Sequence, residues 1–163
     1  MPYKRIYILT GPIQSGKTTK LTQWSAERKD VFGILTPVIG GNRFFMNAHT
    51  GEQFEMEAGL EEENTFNIGK FTFSRKAFEK AIDILNQSMK EKNGWLIIDE
   101  IGPLELREEG FNTIIKNILA TDTNLNILFV IRDTILDEAL KFYELNIKGV
   151  TVINKDADLL SPL

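Results

Sequence analysis

Runs of apolar, β-prone residues alternate with amphipathic segments along most of the chain. We predict strands at Lys4–Thr10, Val31–Pro37, Trp95–Ile98, Asn126–Ile131 and Ile147–Ile153. Trp95–Ile98 is apolar throughout, which is typical of a central parallel strand covered on both faces. Strands that alternate with helices predict an α/β fold with a mostly parallel sheet flanked by helices. In such sheets the functional site lies beyond the carboxyl ends of the strands.

The amphipathic segments predict four helices. The first follows Gly16 and extends to about Asp30, and Ser74 is a plausible N-cap for the second, which ends near Asn93-Gly94. Two further helices lie around residues 111–119 and 135–143. The apolar positions of the last three helices are Ala77, Phe78, Ala81, Ile82, Leu85, Met89, Phe111, Ile114, Ile115, Ile118, Leu119, Ile135, Leu136, Ala139, Leu140 and Tyr143.

Residues 38 to about 70 have a different character, with turn chemistry between short alternating segments. Arg43–Ala48 and Gln53–Met56 predict short strands, and a further short strand is expected around Phe66–Phe73. We interpret this region as one or two β-hairpins inserted between the first and second helices. The pattern does not decide whether the insertion is a lid or an interface.

A glycine-rich loop joins the first strand to the first helix and fits the phosphate-binding pattern G-x-x-x-x-G-K-[ST]. Its backbone N–H groups and the helix N-terminus can converge on phosphate oxygens. We expect Lys17 to reach the β- and γ-phosphates of a nucleotide and the Thr18 hydroxyl to bind Mg²⁺. The predicted nucleotide-binding residues are Gly11, Pro12, Ile13, Gln14, Ser15, Gly16, Lys17, Thr18 and Thr19.

Two acids follow the apolar run at residues 95–98 and predict the second half of a nucleotide site. Asp99, at the carboxyl end of the strand, is expected to hold Mg²⁺ directly or through water. Glu100 is expected to orient or deprotonate an attacking water. An acid directly after the metal-binding acid favours a hydrolase over a simple kinase. The alternative is a pair of acids that only end a strand and face solvent.

Other polar residues near the strand ends leave two interpretations open. Glu105 either approaches the site or caps the following helix. Arg132 either stabilises transferring charge or forms a surface salt bridge, and Arg43 either folds over the phosphates or faces solvent. His49, the only histidine, makes no metal site by itself. The sequence Asn154-Lys155-Asp156-Ala157 does not fit the guanine-reading N-K-x-D pattern, so base selectivity stays open.

Composition narrows the class of protein. The 163 residues predict one domain spanning residues 1–163, with enough chain to bury a core. The chain has no cysteine, which excludes disulfides and thiolate metal sites, and a net charge of −4, which makes nucleic acid an improbable partner. We recognise no signal peptide or membrane span, so no membrane partner and a cytoplasmic location are expected.

The chain resembles the small P-loop nucleoside-triphosphatase family found in thermophilic prokaryotes and in animals, which includes the cancer-related nucleoside-triphosphatases. The most specific match is the block at residues 99–106, because the family version of this block reads D-E-I-G-x-M-E-L. The resemblance runs in order through most of the chain. It is carried by Gly11–Thr19, Gly33-x-x-Thr36, Arg43, Thr50-Gly51-Glu52, Ile68-Gly69-Lys70-Phe71 and Asp99-Glu100-Ile101-Gly102-Pro103-Leu104-Glu105-Leu106.

The resemblance implies a RecA-like P-loop domain that hydrolyses nucleoside 5′-triphosphates to diphosphate and phosphate with Mg²⁺ and broad base tolerance. It also implies that Lys17 binds phosphate, that Thr18 and Asp99 serve the metal, and that Glu100 is the base. The chain departs from the family at Pro37–Gly40, where Glu-Val-Arg is usual, and at Lys155, where an arginine is frequent. These departures bear on efficiency and substrate choice.

Three functional hypotheses follow from these features. The first is a Mg²⁺-dependent nucleoside triphosphatase with ATP or another nucleoside triphosphate as substrate. The second is a nucleotide or small-molecule kinase, against which the sequence offers no arginine-rich lid and no recognisable acceptor pocket. The third is a regulatory nucleotide-binding module with slow turnover, whose output is a protein partner and whose activator supplies an arginine.

Overall fold

The sheet has five parallel strands at its centre and short antiparallel strands at one side. The computed structural model describes residues 5–154, with the backbone alone at 147 and 148. The strands are β1 (Arg5–Gly11), β2 (Val31–Leu35), β3 (Val38–Ile39), β4 (Asn42–Asn47), β5 (Gln53–Glu55), β8 (Trp95–Ile101), β9 (Asn126–Arg132) and β10 (Val150–Asn154). The parallel strands run in the order β10-β1-β9-β8-β2, and β4 pairs antiparallel with β2 and carries β3 and β5.

Two further strands and six helices complete the described chain. A separate hairpin is formed by β6 and β7, and its loop turns at Gly69-Lys70. The elements are β6 (Thr65–Ile68), β7 (Phe71–Ser74), α1 (Lys17–Ala26), α2 (Arg75–Ser88), α3 (Pro103–Leu106), α4 (Asn112–Ala120), α5 (Leu136–Phe142) and α6 (Leu145–Lys148), with a 3₁₀ turn at Asp133–Ile135.

The core lies in two layers, one on each face of the sheet. Side chains of β8 alternate between them, since Leu96 and Ile98 pack towards α2 and α4 whereas Trp95 and Ile97 belong to the smaller cluster around Leu21 of α1. All four residues of the predicted central run are buried. The parallel α/β prediction is confirmed, and helices on both faces explain why this strand is apolar throughout.

The predicted second helix is confirmed together with its cap. Ser74 Oγ accepts a hydrogen bond from the Ala77 N–H at 3.2 Å, and α2 buries Ala77, Ala81 and Leu85 against the sheet. The helix ends at Ser88, before the predicted Asn93-Gly94 stop, and a turn at Met89-Lys90 follows it.

Two predicted boundaries and one predicted strand are wrong for identifiable reasons. Helix α1 ends at Ala26 and not near Asp30, because the Asp30 carbonyl already accepts from Trp95 N–H at the start of the sheet. The last strand begins at Val150 and not at Ile147, because residues 145–148 form α6. The single strand expected around Phe66–Phe73 is the β6–β7 hairpin. Lys4 and Lys155 lie outside the described residues.

Within residues 5–154, no helix combines the length and the apolar character that a membrane crossing requires.

Candidate active site

The glycine-rich loop occupies the predicted place between β1 and α1. Gly11 ends β1, residues 12–16 form the turn, and α1 begins at Lys17. Gly16 has φ +89°, a left-handed conformation that side chains disfavour, which explains why glycine is needed directly before the helix. Strand, loop and helix N-terminus therefore have the arrangement that an anion-binding loop requires.

Lys17 lies inside the curve of this loop. Its Nζ donates to the carbonyl oxygens of Gly11 at 3.1 Å and Pro12 at 2.7 Å, and the residue is 5% exposed. Burial lowers the pKa of the ammonium, while the neighbouring charges of Glu100 and Asp99 oppose that shift. A buried cation is thus held where the loop would enclose phosphate.

A direct hydrogen bond joins the loop side of the site to the acidic end of β8. Thr18 Oγ1 donates to Asp99 Oδ2 at 2.7 Å, and the same oxygen accepts from Thr36 N–H at 3.1 Å. Asp99 is 1% exposed, and this burial raises its pKa to about 6, although the bonds from Thr18 and Thr36 act in the opposite direction. Residues 81 positions apart in the chain therefore meet at one point.

Glu100 is the next residue and remains accessible, with 28% of its side chain exposed. Its Oε1 accepts from Arg132 Nη2 at 3.1 Å. The register between β8 and β9 shifts between Asp99 and Ile101, so that Glu100 has no partner in the β9 ladder and its side chain reaches the cleft described below. Of the two interpretations of Arg132, the salt bridge is present, and it lies within the site.

Of the two roles predicted for Glu105, the structure shows the capping role. Oε1 accepts from Gly102 N–H at 2.8 Å and Oε2 accepts from Phe111 N–H at 3.0 Å, so one carboxylate ties α3 to the residue before α4. The side chain is 4% exposed, and burial raises its pKa to about 7 despite these two bonds. Glu105 also lines the cleft next to Glu100.

The other predicted binding residues form the backbone and the outer edge of the glycine-rich loop. Ile13 is 58% exposed at the tip of the loop, Gln14 has a positive φ of 54°, and Thr19 is exposed on α1. Ser15 is partly buried beside them. All nine predicted loop residues thus lie around one turn, which is compatible with their predicted role.

Arg43 and His49 both pack against aromatic rings. The guanidinium of Arg43 stacks on the Phe71 ring, 4.7 Å from its centroid, so the side chain covers the β6–β7 hairpin and does not project freely into solvent. His49 lies 3.1 Å from the Val31 carbonyl through Nδ1 and stacks on Phe32, and this packing accounts for the only histidine.

A cavity of about 470 Å³ opens beside Glu100 and was not predicted from the sequence. We call it the aromatic cleft. Pairs of its rings contact one another, with centroids 5.0–6.0 Å apart. Its aromatic walls are Phe45, Phe71, Phe73, Phe78 and Phe111. The sequence feature that could have indicated the cleft is the high number of phenylalanines in the insertion and at the start of α2. Helical or strand periodicity alone assigns these phenylalanines to the hydrophobic core.

Comparison with known proteins agrees with this geometry. A protein-family model described as NTPase matches residues 6–161. The chain belongs to this NTPase family. No curated protein gives a significant match.

Two solved structures share the fold over nearly the whole chain. The crystal structure of THEP1 from the hyperthermophile Aquifex aeolicus matches with a TM-score of 0.74 and 23% identity, over 97% of this chain and 96% of that one. The solution structure of a human cancer-related nucleoside triphosphatase matches with a TM-score of 0.70 and 26% identity, over 97% and 94%. The family resemblance and the P-loop α/β fold are thereby confirmed, and nucleoside triphosphate hydrolysis is supported as the general reaction.

The donor atoms at the junction of the loop and β8 suit a magnesium ion. Thr18 supplies a hydroxyl oxygen and Asp99 a carboxylate, which are the hard ligands that Mg²⁺ prefers. Residues 5–154 contain no cluster of three histidine, cysteine or acidic side chains that could hold a metal. In the usual Mg²⁺ site of nucleotide enzymes, one or two protein ligands combine with substrate phosphates and water.

Proposed function

We propose that the protein is a Mg²⁺-dependent nucleoside triphosphatase that converts nucleoside 5′-triphosphates to diphosphate and phosphate with broad base tolerance. The observation that carries the proposal is the 2.7 Å hydrogen bond between Thr18 and Asp99, with Glu100 directly beside it. This bond joins the glycine-rich loop to the acidic pair, the two motifs from which the sequence separately predicted a nucleotide site. Membership of the NTPase family supports the same reaction in general terms.

Each residue has a defined task in this proposal. The loop N–H groups and Lys17 bind the β- and γ-phosphates, and Thr18 and Asp99 hold Mg²⁺. The chemistry that bound Mg²⁺ supplies is positive charge beside the phosphate oxygens, which lowers the energy of the transition state. Glu100 orients a water molecule in line with the γ-phosphorus and accepts its proton.

Arg132 lies where it can hold the Glu100 carboxylate in position. Its Nη2 contacts Glu100 Oε1, while its Nε is buried and has no hydrogen-bond partner among residues 5–154. An arginine next to the catalytic carboxylate can bind a γ-phosphate oxygen through its guanidinium group. We propose that it holds Glu100 in the absence of substrate and shares its donors with phosphate in the transition state.

The test is phosphate release from ATP, GTP, CTP and UTP with Mg²⁺ or with a chelator, using wild type, Lys17→Ala and Lys76→Ala. Lys76 is an exposed lysine on α2 and provides the matched charge control. We expect release from several of the nucleotides, dependence on Mg²⁺, and a loss of roughly 100-fold or more in Lys17→Ala only. Equal rates in the two variants would contradict the assignment of the loop.

A further inference from the structure

The aromatic cleft ends at the catalytic carboxylates. Asp99, Glu100 and Arg132 form one end of the cavity, and Ile13 of the glycine-rich loop lies at its rim. The loop follows β1, which lies on one side of β8 in the sheet, whereas β2 and β4 lie on the other. Glu100 therefore stands between two compartments, the phosphate loop and the cleft.

The cleft has the size and surroundings of a ligand site. A cavity of about 470 Å³ falls within the range of roughly 300–1,000 Å³ that small-molecule pockets occupy. Phe45 and Phe73 are buried, while Phe71 and Phe78 are partly exposed, so ring surface is open to an occupant. Flat aromatic molecules gain the most from such walls because they stack on phenylalanine faces.

The polar groups of the cleft are divided between its two ends. At the hairpin end, the Arg43 guanidinium and the Lys70 ammonium lie 4.7 and 5.4 Å from the Phe71 ring centroid. Neither side chain forms an ion pair with a carboxylate in the part of the chain that the structure describes. At the catalytic end, both Glu105 oxygens accept backbone N–H groups, which leaves Glu100 as the accessible carboxylate.

This division specifies the chemistry of an occupant. Ring carbonyl oxygens would be received by the cations at the hairpin end, the ring by the phenylalanine walls, and a hydroxyl group by Glu100. A nucleoside combines these three features, since its heteroaromatic base carries hydrogen-bond acceptors and its sugar carries hydroxyl groups. We propose that the aromatic cleft binds a nucleoside whose hydroxyl accepts the γ-phosphoryl group of the nucleoside triphosphate.

The transfer step uses the machinery of the proposed hydrolysis, on which this inference rests. The nucleoside hydroxyl oxygen takes the place of the attacking water and forms a bond to the γ-phosphorus. The bond from that phosphorus to the β,γ-bridging oxygen breaks, and the nucleoside diphosphate leaves with the electron pair. The hydroxyl proton passes to Glu100, and the products are a nucleoside diphosphate and a nucleoside monophosphate.

An occupied cleft also changes the competition with water. Because the occupant would separate Glu100 from bulk solvent on the cleft side, phosphate release to water is expected to fall as transfer rises. The acceptor pocket that the sequence did not predict is thus supplied by residues from separate parts of the chain, including β4, β7, α2 and the segment before α4.

The experiment follows γ-labelled ATP with Mg²⁺ in the presence of thymidine, uridine, cytidine, adenosine or guanosine. Labelled nucleoside monophosphate and labelled inorganic phosphate are separated and measured in the same reactions. Wild type is compared with Phe71→Ala, which removes a wall of the cleft, and with Phe142→Ala, an exposed phenylalanine of α5 that does not line it. Thermal unfolding of both variants confirms that they are folded.

We expect label to enter at least one nucleoside, with a matching decrease in phosphate release. Phe71→Ala should raise the KM for that nucleoside roughly tenfold, as expected for one stacking contact, with little change in the KM for ATP. Phe142→Ala should leave both values unchanged.

Three outcomes would overturn the proposal. The first is phosphate release without labelled nucleoside for all five probes, which would leave the triphosphatase assignment standing. The second is inhibition of release by a nucleoside without any labelled product. The third is an increased KM for ATP in Phe71→Ala without added nucleoside, which would assign the cleft to the base of the substrate. Phosphate release in reactions without a nucleoside tests the triphosphatase separately.

Discussion

Three carboxylates within seven residues acquire different properties from their immediate partners. Asp99 is buried and accepts from Thr18 and Thr36, Glu100 is accessible and paired with Arg132, and Glu105 is buried and accepts two backbone N–H groups. Of these three carboxylates, Glu100 alone combines access to solvent with proximity to the loop lysine. Single hydrogen bonds therefore distinguish the proposed metal ligand, the proposed base and the structural cap from one another.

Glu105 provides a pH-dependent test at this scale. Its folded-state pKa of about 7 lies above the ordinary value of 4.5, so the folded protein binds the proton more tightly than the unfolded chain. Stability from this residue is complete below pH 4.5 and decreases as pH rises through 7, by on the order of 3 kcal/mol in total. Urea unfolding of wild type at pH 5 and pH 8 measures the change.

The comparison variant for this prediction is Glu105→Gln, with exposed Glu109→Gln as the control. Glutamine cannot ionise and can accept only one of the two N–H groups through its oxygen, so it costs roughly 1–3 kcal/mol at pH 5. The gap between wild type and Glu105→Gln should narrow at pH 8. A gap of constant size would show that Glu105 titrates at its ordinary value.

At the scale of elements, the close approach of β2 to β8 positions the site. Gly33 has φ +109°, and a Cβ placed there would lie 2.1 Å from the Ile97 carbonyl oxygen. The two strands are in parallel register, with Gly33 opposite Ile97 and Ile34 opposite Ile98. This contact brings Thr36, just after β2, to Asp99, which is buried in the carboxyl-terminal half of β8.

We therefore expect Gly33→Ala to destabilise the protein by roughly 3 kcal/mol, from the clash and the unfavourable φ together. Gly41→Ala is the matched control, because Gly41 also has a positive φ of 82° but has no atom within 4 Å of its added Cβ. It should cost about 1 kcal/mol. Chemical denaturation of both variants measures the difference, and equal losses would contradict the close-packing explanation.

Elements with strong local signals were predictable from the sequence, and elements determined by distant contacts were not. The loop between β1 and α1, the buried strand at residues 95–98 and the Ser74 cap each follow from a short run of residues, and each is present. The β6–β7 hairpin and α6 were missed. Their short lengths, four residues for each strand and for the helix, carry little periodicity, and tertiary packing selects their conformation.

At the scale of the whole molecule, the sheet order brings the two halves of the site together and also creates the aromatic cleft. The loop and the acidic pair could be predicted because each is a contiguous motif of known chemistry. The cleft could not, since its walls come from residues 45–111 and no local pattern indicates that their rings enclose a cavity. The pairing of Arg132 with Glu100 likewise depends on β9 lying next to β8.

The most direct test of the central claim is the effect of Glu100→Gln on binding and turnover, measured on the same preparation, with exposed Glu79→Gln as the control. Titration calorimetry with a non-hydrolysable ATP analogue and Mg²⁺ gives Kd, and phosphate release from ATP gives kcat. We predict that Glu100→Gln retains a Kd within a few-fold of wild type and loses roughly 100-fold or more in kcat, because the amide cannot accept a proton. A kcat equal to that of Glu79→Gln would contradict the assignment of Glu100 as the base.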